Sequence, residues 1–356
     1  MAAAASIIMS GFTGETKVQR RRILLTAAAI AVSALVAPAA ATAAQTKPIL
    51  VADPAGTERD FVRWLSVHDP RPVVRETAQQ TLTGGDATTF LAAGYTAAAD
   101  RAARERAWQL DFADRTAAAY PARTHPWVHV AARRAAAGTD DELAGFAAGG
   151  FTAALTQDDA GRPYDDGAGQ VTPDDRALVA DLGHRDPNLT VRQRAADVRT
   201  DAEVAEFLRH GWLSAARLDL DAFRAEYVAG EWAGWDEARY HIGVAVTADR
   251  QARQGTAPPI AAVTAWRTVG TRAVKQPAIW TERERYAQGR ADTWTRTALT
   301  ATASPSPLRA ALATDAPAVH AGWIAEARHA ADQRTWWQTL IRYAQDTATL
   351  WTRPGV

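Results

Sequence analysis

The chain has no cysteine, and its only two methionines, Met1 and Met9, stand at the extreme N-terminus. Thiolate zinc sites, iron–sulfur clusters, c-type haem and cysteine nucleophiles are thereby excluded. An exported form of such a chain has no disulfide to rely on, so a packed core must stabilise it. Lysine is nearly missing: apart from Lys17, Lys47 and Lys275 every basic side chain is arginine, a bias that accompanies the alanine richness and points to GC-rich coding. After residue 44 serine occurs only at Ser66, Ser214, Ser304 and Ser306, and none stands in a G-x-S-x-G elbow. No P-loop and no G-x-G-x-x-G dinucleotide fingerprint occurs either. An excess of charge is also lacking, with 40 Lys and Arg against 40 Asp and Glu.

What is present begins with a leader. In residues 1–44 a basic stretch (Lys17, Arg20, Arg21, Arg22) precedes the apolar run Ile23 to Ala37, and Ala41-Thr42-Ala43 or Thr42-Ala43-Ala44 offers a small-residue cleavage pattern. The run of 15 residues is short of the roughly 20 that a spanning helix needs. The segment reads as a signal peptide, and the mature chain as secreted, with no integral membrane segment. Arg20-Arg21-Arg22-Ile23-Leu24 also resembles the twin-arginine export signal, with Ile where that pattern prefers Phe, so ordinary and twin-arginine export both stand. Loss of the leader removes four basic residues and one acid, Glu15, which leaves the mature chain about three charges negative. A nucleic-acid or anionic-membrane partner would want a basic face instead.

Residues 45–56 read as a linker and 57–356 as one all-α domain, since the periodicity is helical and no apolar/polar alternation is sustained. The domain repeats itself. Residues 266–296 and 323–353 share 12 of 31 positions, including Trp266/Trp323, Trp280/Trp337 and Trp294/Trp351. Both follow one rule, Trp and Ala alternating every seven residues through Ala273 and Ala287 or Ala330 and Ala344. Seven residues are close to two helical turns, so each set forms a stripe suited to packing against another helix.

Upstream, Asp69-Pro70 followed by Val74-Arg75 and Ala78 recurs as Asp186-Pro187 with Val191-Arg192 and Ala195, and in variant form as Pro126 with Val128-His129 and Ala132. After each comes Phe-x-x-x-Gly-aromatic, at Phe90, Gly94, Tyr95, then Phe146, Gly150, Phe151, then Phe207, Gly211, Trp212. Ala265-Trp266 and Gly322-Trp323 continue the series. The anchors Tyr95, Phe151, Trp212, Trp266 and Trp323 are spaced 56, 61, 54 and 57 apart. The expectation is a helical repeat array of about five units of roughly 57 residues, each with two short helices and a longer one, for example 72–83, 86–94 and 95–119. Ala265 in the glycine position argues that this site requires smallness, to admit another helix, and not a positive φ. Thr139/Glu142 and Thr200/Glu203 read as capping boxes, and Pro277 should kink or break a helix.

The first unit, Val74-Arg75, Ala78, Leu82, Gly85-Asp86, Phe90-Leu91 and Gly94-Tyr95, resembles the ALF repeats of secreted actinobacterial proteins, named for their Ala, Leu and Phe positions. Residues 186–217 match less fully, with Val198 near the Leu position, and the last two units match weakly. The resemblance implies a scaffold, in some relatives a structural hub of extracellular antibacterial toxin particles, and brings no catalytic residues with it.

Other candidates are weaker. Ser66-Val67-His68-Asp69 holds triad residue types in adjacent positions, which cannot act as nucleophile, base and orienter, and reads as a helix end with a turn. His125 and His129 are four apart, but Pro126 puts the first outside the helix. Asp158 to Asp175 reads as an exposed loop whose Asp158, Asp159, Asp165 and Asp166 suit weak calcium coordination, without the EF-hand spacing. Trp232 and Trp235, beside Gly230 and Gly234, are candidates for exposed interface anchors. Arg285, Arg342, Gln288 and Gln345 are the off-stripe positions common to the duplicated segments. The expectation is a secreted, non-enzymatic scaffold or adaptor that binds another protein and needs no cofactor; the alternative is a secreted hydrolase with an Asp/Glu/His site in a groove of the array.

Overall fold

A computed structural model describes residues 54–353, with the side chains of 54–57 and 232–236 outside the description. The chain is all-helical: among the described residues there is no strand, and no helix is long and apolar enough to cross a membrane. The leader, its cleavage pattern and most of the linker lie outside the described residues.

Helices α1 (Pro54–His68), α2 (Pro72–Gly84), α3 (Ala87–Thr89), α4 (Tyr95–Ala119), α5 (Pro126–Ala137), α6 (Asp140–Gly145) and α7 (Phe151–Asp159) form the first half. Then come α8 (Pro173–Arg185), α9 (Leu189–Asp197), α10 (Asp201–Glu206), α11 (Trp212–Arg253), α12 (Pro259–Ala273), α13 (Gln276–Ala303) and α14 (Ala310–Leu350). Proline in the first turn starts α2, α5, α8, α12 and α13, where its missing N–H has no intrahelical partner to lose. Thr139 with Glu142 and Thr200 with Glu203 close both expected capping boxes, and Thr172 with Asp175 adds a third.

The Phe-x-x-x-Gly signature has a specific conformation. Phe90–Gly94, Phe146–Gly150 and Phe207–Gly211 are each one turn of π-helix, closed by the N–H of Tyr95, Phe151 or Trp212 donating to the carbonyl of the Phe five residues earlier. At these three anchors the second and third helices expected are therefore one continuous helix with a widened turn. The glycines have ordinary helical φ of −63°, −61° and −61°. Their smallness serves a different neighbour from the one expected. A Cβ on Gly94 or Gly211 would meet the ring of its own Phe at 3.0 or 3.2 Å, and on Gly150 the Gly145 carbonyl at 3.3 Å. No second helix is involved.

The Asp-Pro signature also resolves into bonds. Arg75 Nη1 donates to the Asp69 carbonyl at 2.7 Å and Arg192 Nη1 to the Asp186 carbonyl at 2.9 Å, while His129 Nδ1 donates to Ala117 and Tyr120 carbonyls at 3.0 and 3.2 Å. In all three places the basic side chain ties its helix to the carbonyl ends just before it, so the His at this position substitutes for the Arg.

At the Trp266 and Trp323 anchors the π turn is missing, and both lie inside regular helices. Pro277 falls in the first turn of α13 after a break behind α12, as expected, whereas Pro317 sits inside α14 without ending it. α13 and α14 run antiparallel: Glu284 pairs with Arg334, and Arg290 stacks toward the Trp323 ring. The duplicated segments exchange partners, because Trp266 packs edge-on against Tyr343 and Trp323 against Tyr286. Trp266, Trp280, Trp294, Trp323 and Trp337 are buried with Ala273, Ala287, Ala330 and Ala344, so the stripes are core. Trp351 differs: it is half-buried and its Nε1 donates to Asp249 at 2.6 Å. The two main apolar clusters, one around Trp212, Trp294 and Trp323 and one around Trp64, Trp266, Trp280 and Trp337, both rest on the last four helices. Smaller clusters around Phe146 and around Val74 hold the first half.

Candidate functional site

Two places bring charged side chains together. The first is an open groove of about 900 Å³ with α5, α6 and the Phe146–Gly150 turn on one side and α9, α10, the Phe207–Gly211 turn and the start of α11 on the other. Its sides are joined by polar bridges. Arg134 binds Glu206 through two bonds of 2.6 and 2.7 Å. Glu142 is a hub: Oε2 accepts the Thr139 N–H at 2.8 Å and the Ser214 hydroxyl at 2.8 Å, and Oε1 accepts Arg217 at 3.2 Å. Arg194 Nη2 donates to the Ala137 carbonyl and Nη1 to Ser214 Oγ at 3.4 Å.

Glu142 thus does more than the capping read from its spacing. Its two neighbours follow suit, since Asp140 pairs with Arg106 of α4 and Asp141 with Arg75 of α2. The acidic cluster is a joint connecting α6 to three other helices.

One end of the groove is closed by the 160–172 segment, where Arg209 donates to the Asp165 carbonyl at 3.0 Å. Gly167, at φ +77°, has the backbone conformation that favours glycine, and the Arg209 guanidinium lies against it where a Cβ would push that flexible tip aside. In the groove, burial and the Arg134 charge push the His210 imidazole below its ordinary value, against the pull of Glu206, so it is neutral at pH 7. Burial likewise lowers the Arg194 guanidinium and raises the Tyr164 phenol.

The second place is sealed in the core between α1, α11, α13 and α14. Glu326 Oε1 accepts Arg224 Nε at 2.7 Å and lies 3.2 Å from His68 Nδ1. Burial opposes the Glu326 carboxylate, but these two partners outweigh it and hold the group below the usual range. Around it burial alone dominates: Glu231 is pushed up to about 8, Asp221 up to about 7 and His329 down to about 4. Among the described residues the Tyr227 hydroxyl and His329 Nε2 have no hydrogen-bond partner. Arg283 is set among rings, 4.1 Å from the Phe223 centroid and 5.5 and 5.7 Å from those of Tyr227 and Trp280, with Nη2 on the Phe223 carbonyl at 3.0 Å. Tyr227 and Glu326 are each 3% exposed, whereas the side chains of His68, Arg224 and Asp221 at the edge of the set keep partial contact with solvent.

The acidic stretch does not converge. Asp158 caps α5 by accepting the Trp127 and Val128 N–H groups at 3.1 and 2.9 Å, as Asp219 does for Thr190 and Val191 of α9. Asp165 accepts Gly167 N and Gln170 Nε2, Asp166 accepts Ala168 N, and Asp159 is exposed. Among the described residues no group of three or more His, Cys, Asp or Glu could hold a metal ion. Asp175, read from sequence as the end of an exposed loop, is instead fully buried, bound by Ser306 at 3.0 Å and Arg309 at 2.9 Å. Its capping role in α8 turns it inward.

Ser66 bonds the Arg63 carbonyl, His68 faces Glu326 and Asp69 holds Arg71, so this quartet is a helix end and turn. His125 contacts Thr124 and His129 the α4 carbonyls, which makes no metal pair. Arg285, Gln288, Arg342 and Gln345 lie off the groove; Arg285 pairs with Glu282, and Gln288 donates to Asp292 at 3.1 Å. Trp232 and Trp235 lie on α11, with side chains outside the described residues. Sequence reasoning missed the groove because Glu142 reads as a cap and Phe146, Gly150 and Gly211 as repeat positions, while Arg134, Arg194, Glu206, Ser214 and Arg217 share no spacing. The available signal was Arg209-His210, two polar residues inside a Phe-x-x-x-Gly turn whose other copies carry Ala or Gly there. No protein-family model, no curated protein and no solved structure matches the chain.

Proposed function

We propose that this chain is a secreted, non-enzymatic scaffold or adaptor of ALF-repeat type, an array of about five units that binds another protein in the groove between its second and third. The observation that carries this reading is the groove itself: an open recess between helices, bridged by ion pairs that fix the spacing of its walls. Helical arrays use such inter-unit surfaces for recognition. Placement in an extracellular toxin-type assembly follows from the resemblance alone.

A hydrolase gains some support from Ser214, Glu142 and His210 sharing this groove. The bonding argues against it. Ser214 donates to Glu142, which also holds the Thr139 N–H and Arg217 in a joint between helices, and no hydrogen bond among the described residues joins Ser214 to His210, so a serine–histidine pair is not assembled. The test is recovery of tagged protein from the supernatant of its native host. The scaffold reading expects a stoichiometric protein partner, lost on Arg134→Glu; a lone monomer with hydrolytic activity that Ser214→Ala abolishes would overturn it.

A further inference from the structure

Charges in the groove are unequally matched. Glu142 and Glu206 have arginine partners, Glu203 accepts the Arg199 and Thr200 N–H groups at 2.8 Å each, and Asp166 caps Ala168. Arg134, Arg209 and Arg217 are paired with carboxylates in turn. Arg194 is different. It is half-buried, no described ion pair includes it, and its two bonds go to neutral acceptors, the Ala137 carbonyl and the Ser214 hydroxyl. The carboxylates that attract it, Glu142 and Asp219, act from beyond ion-pair reach. Arg133, nearby on α5, is exposed and has no described ion pair either. Asp315 pairs with Arg217 at 3.8 Å, and Asp197 is the one lining acid with neither a hydrogen bond nor an ion pair among the described residues.

A guanidinium carries five N–H donors in a fork that fits a carboxylate, and a charge-assisted pair formed away from bulk water is roughly twice as strong as a neutral hydrogen bond. Neutral acceptors leave a desolvated cation undercompensated. The groove walls include small residues, Ala131, Ala135, Gly150 and Gly211, which leave room for a chain to approach. Resting on the scaffold reading, we propose that the groove takes an acidic segment of the protein partner, with one carboxylate seated on Arg194 and a second held by Arg133 at the rim. The ion-paired Arg134–Glu206 bridge then sets the wall spacing without competing for the ligand.

The probe is a fluorescein-labelled decaglutamate peptide, with decalysine as its counterpart, titrated against the full mature chain by anisotropy at two salt concentrations. The expected result is salt-sensitive decaglutamate binding, weakened about tenfold or more by Arg194→Gln and several-fold by Arg133→Glu, with partial rescue by Arg194→Lys. Because Arg133 is exposed, its substitution keeps the test open should Arg194→Gln fail to fold. Equal binding of decalysine, or decaglutamate binding indifferent to both substitutions, overturns the proposal. Capture of the native partner separates the two readings. A partner that binds wild type and the Arg133→Glu variant alike keeps the scaffold and sinks the acidic-segment site; decaglutamate binding through Arg194 with no partner in the host supernatant does the reverse.

Discussion

The same short mark, a small residue followed by an aromatic anchor, meets two different packing problems at its first three positions and at its last. At Gly94, Gly150 and Gly211 it ends a π turn opened by a phenylalanine four residues earlier, and the nearest obstacle to a larger side chain lies within that turn or the residue just before it. At Gly322 the helix is regular, position 318 is Ala instead of Phe, and the obstacle is Leu220 of α11, whose Cδ2 would be 2.7 Å from a Cβ. Ala261 likewise stands four residues before Ala265. Without the ring nothing widens the turn, and the anchor sits within a helix that continues through it. The Phe146 turn sits in a small local cluster, whereas Trp266 and Trp323 lie in the two tryptophan-rich cores, along which the 41-residue α14 and the 42-residue α11 run, the latter starting from a π turn.

The largest expected effect tests where stability resides. Trp323→Ala removes a side chain at 0% exposure that touches Phe223 and Tyr286, and should cost about 3–5 kcal/mol in urea unfolding. Phe146→Ala, in the smaller cluster with Phe112 and Phe151, should fall at or below the lower end of that range. A larger loss at Phe146 would reverse the assignment of the main core to the second half.

Next comes the charge sealed in that core. Glu231 has a folded value of about 8 against an ordinary 4.5, so the folded state binds a proton that the unfolded chain releases. Its raised value stabilises fully below the unfolded value and loses that advantage as pH rises from about 4.5 to 8. Glu231→Gln should remove this dependence and stabilise the protein by a few kcal/mol at pH 8, on the order of 1.4 kcal/mol for each tenfold difference in proton affinity between the folded and unfolded chain. Denaturant midpoints of both proteins from pH 5 to 8 check it; parallel curves would show that Glu231 is solvated.

Much of this fold was legible because helical spacing is a local property. The tryptophan and alanine stripes, both capping boxes, the break at Pro277 and the small-residue requirement followed from positions along one stretch of sequence. The π turns were not legible, because Phe and Gly four apart fit a regular helix equally well, and only the i to i−5 bond distinguishes them. The groove escaped for another reason. Glu142 satisfied a capping box and Arg194 belongs to no motif, while their meeting at Ser214 depends on how α6, α9 and α11 pack. The buried Asp175–Arg309 pair joins positions 134 apart, which no periodicity relates.

A smaller effect separates the two glycine settings. Gly322→Ala must displace Leu220 and should cost about 1–3 kcal/mol through overpacking. Gly94→Ala meets only the Phe90 ring at 3.0 Å, which can tilt, so its cost should lie below that of Gly322→Ala in the same chemical denaturation assay. The reverse order would mean that the π turn is the more rigid element.

The smallest expected effect asks whether a π turn is otherwise ordinary helical backbone. Gly149, inside the Phe146–Gly150 turn, and Gly289, inside α13, both have open space where a Cβ would be. Alanine removes backbone freedom from the unfolded chain and suits a helix, so Gly289→Ala should stabilise by about 0.5–1 kcal/mol. If the widened turn is held by the Phe146 ring and the Gly150 contact alone, Gly149→Ala should give the same gain, read as a parallel rise in thermal midpoint. A loss at Gly149 alone would show that the turn needs glycine freedom at a second position. The difference between the two kinds of anchor would then lie in the backbone itself, and not only in the side chain four residues before the anchor.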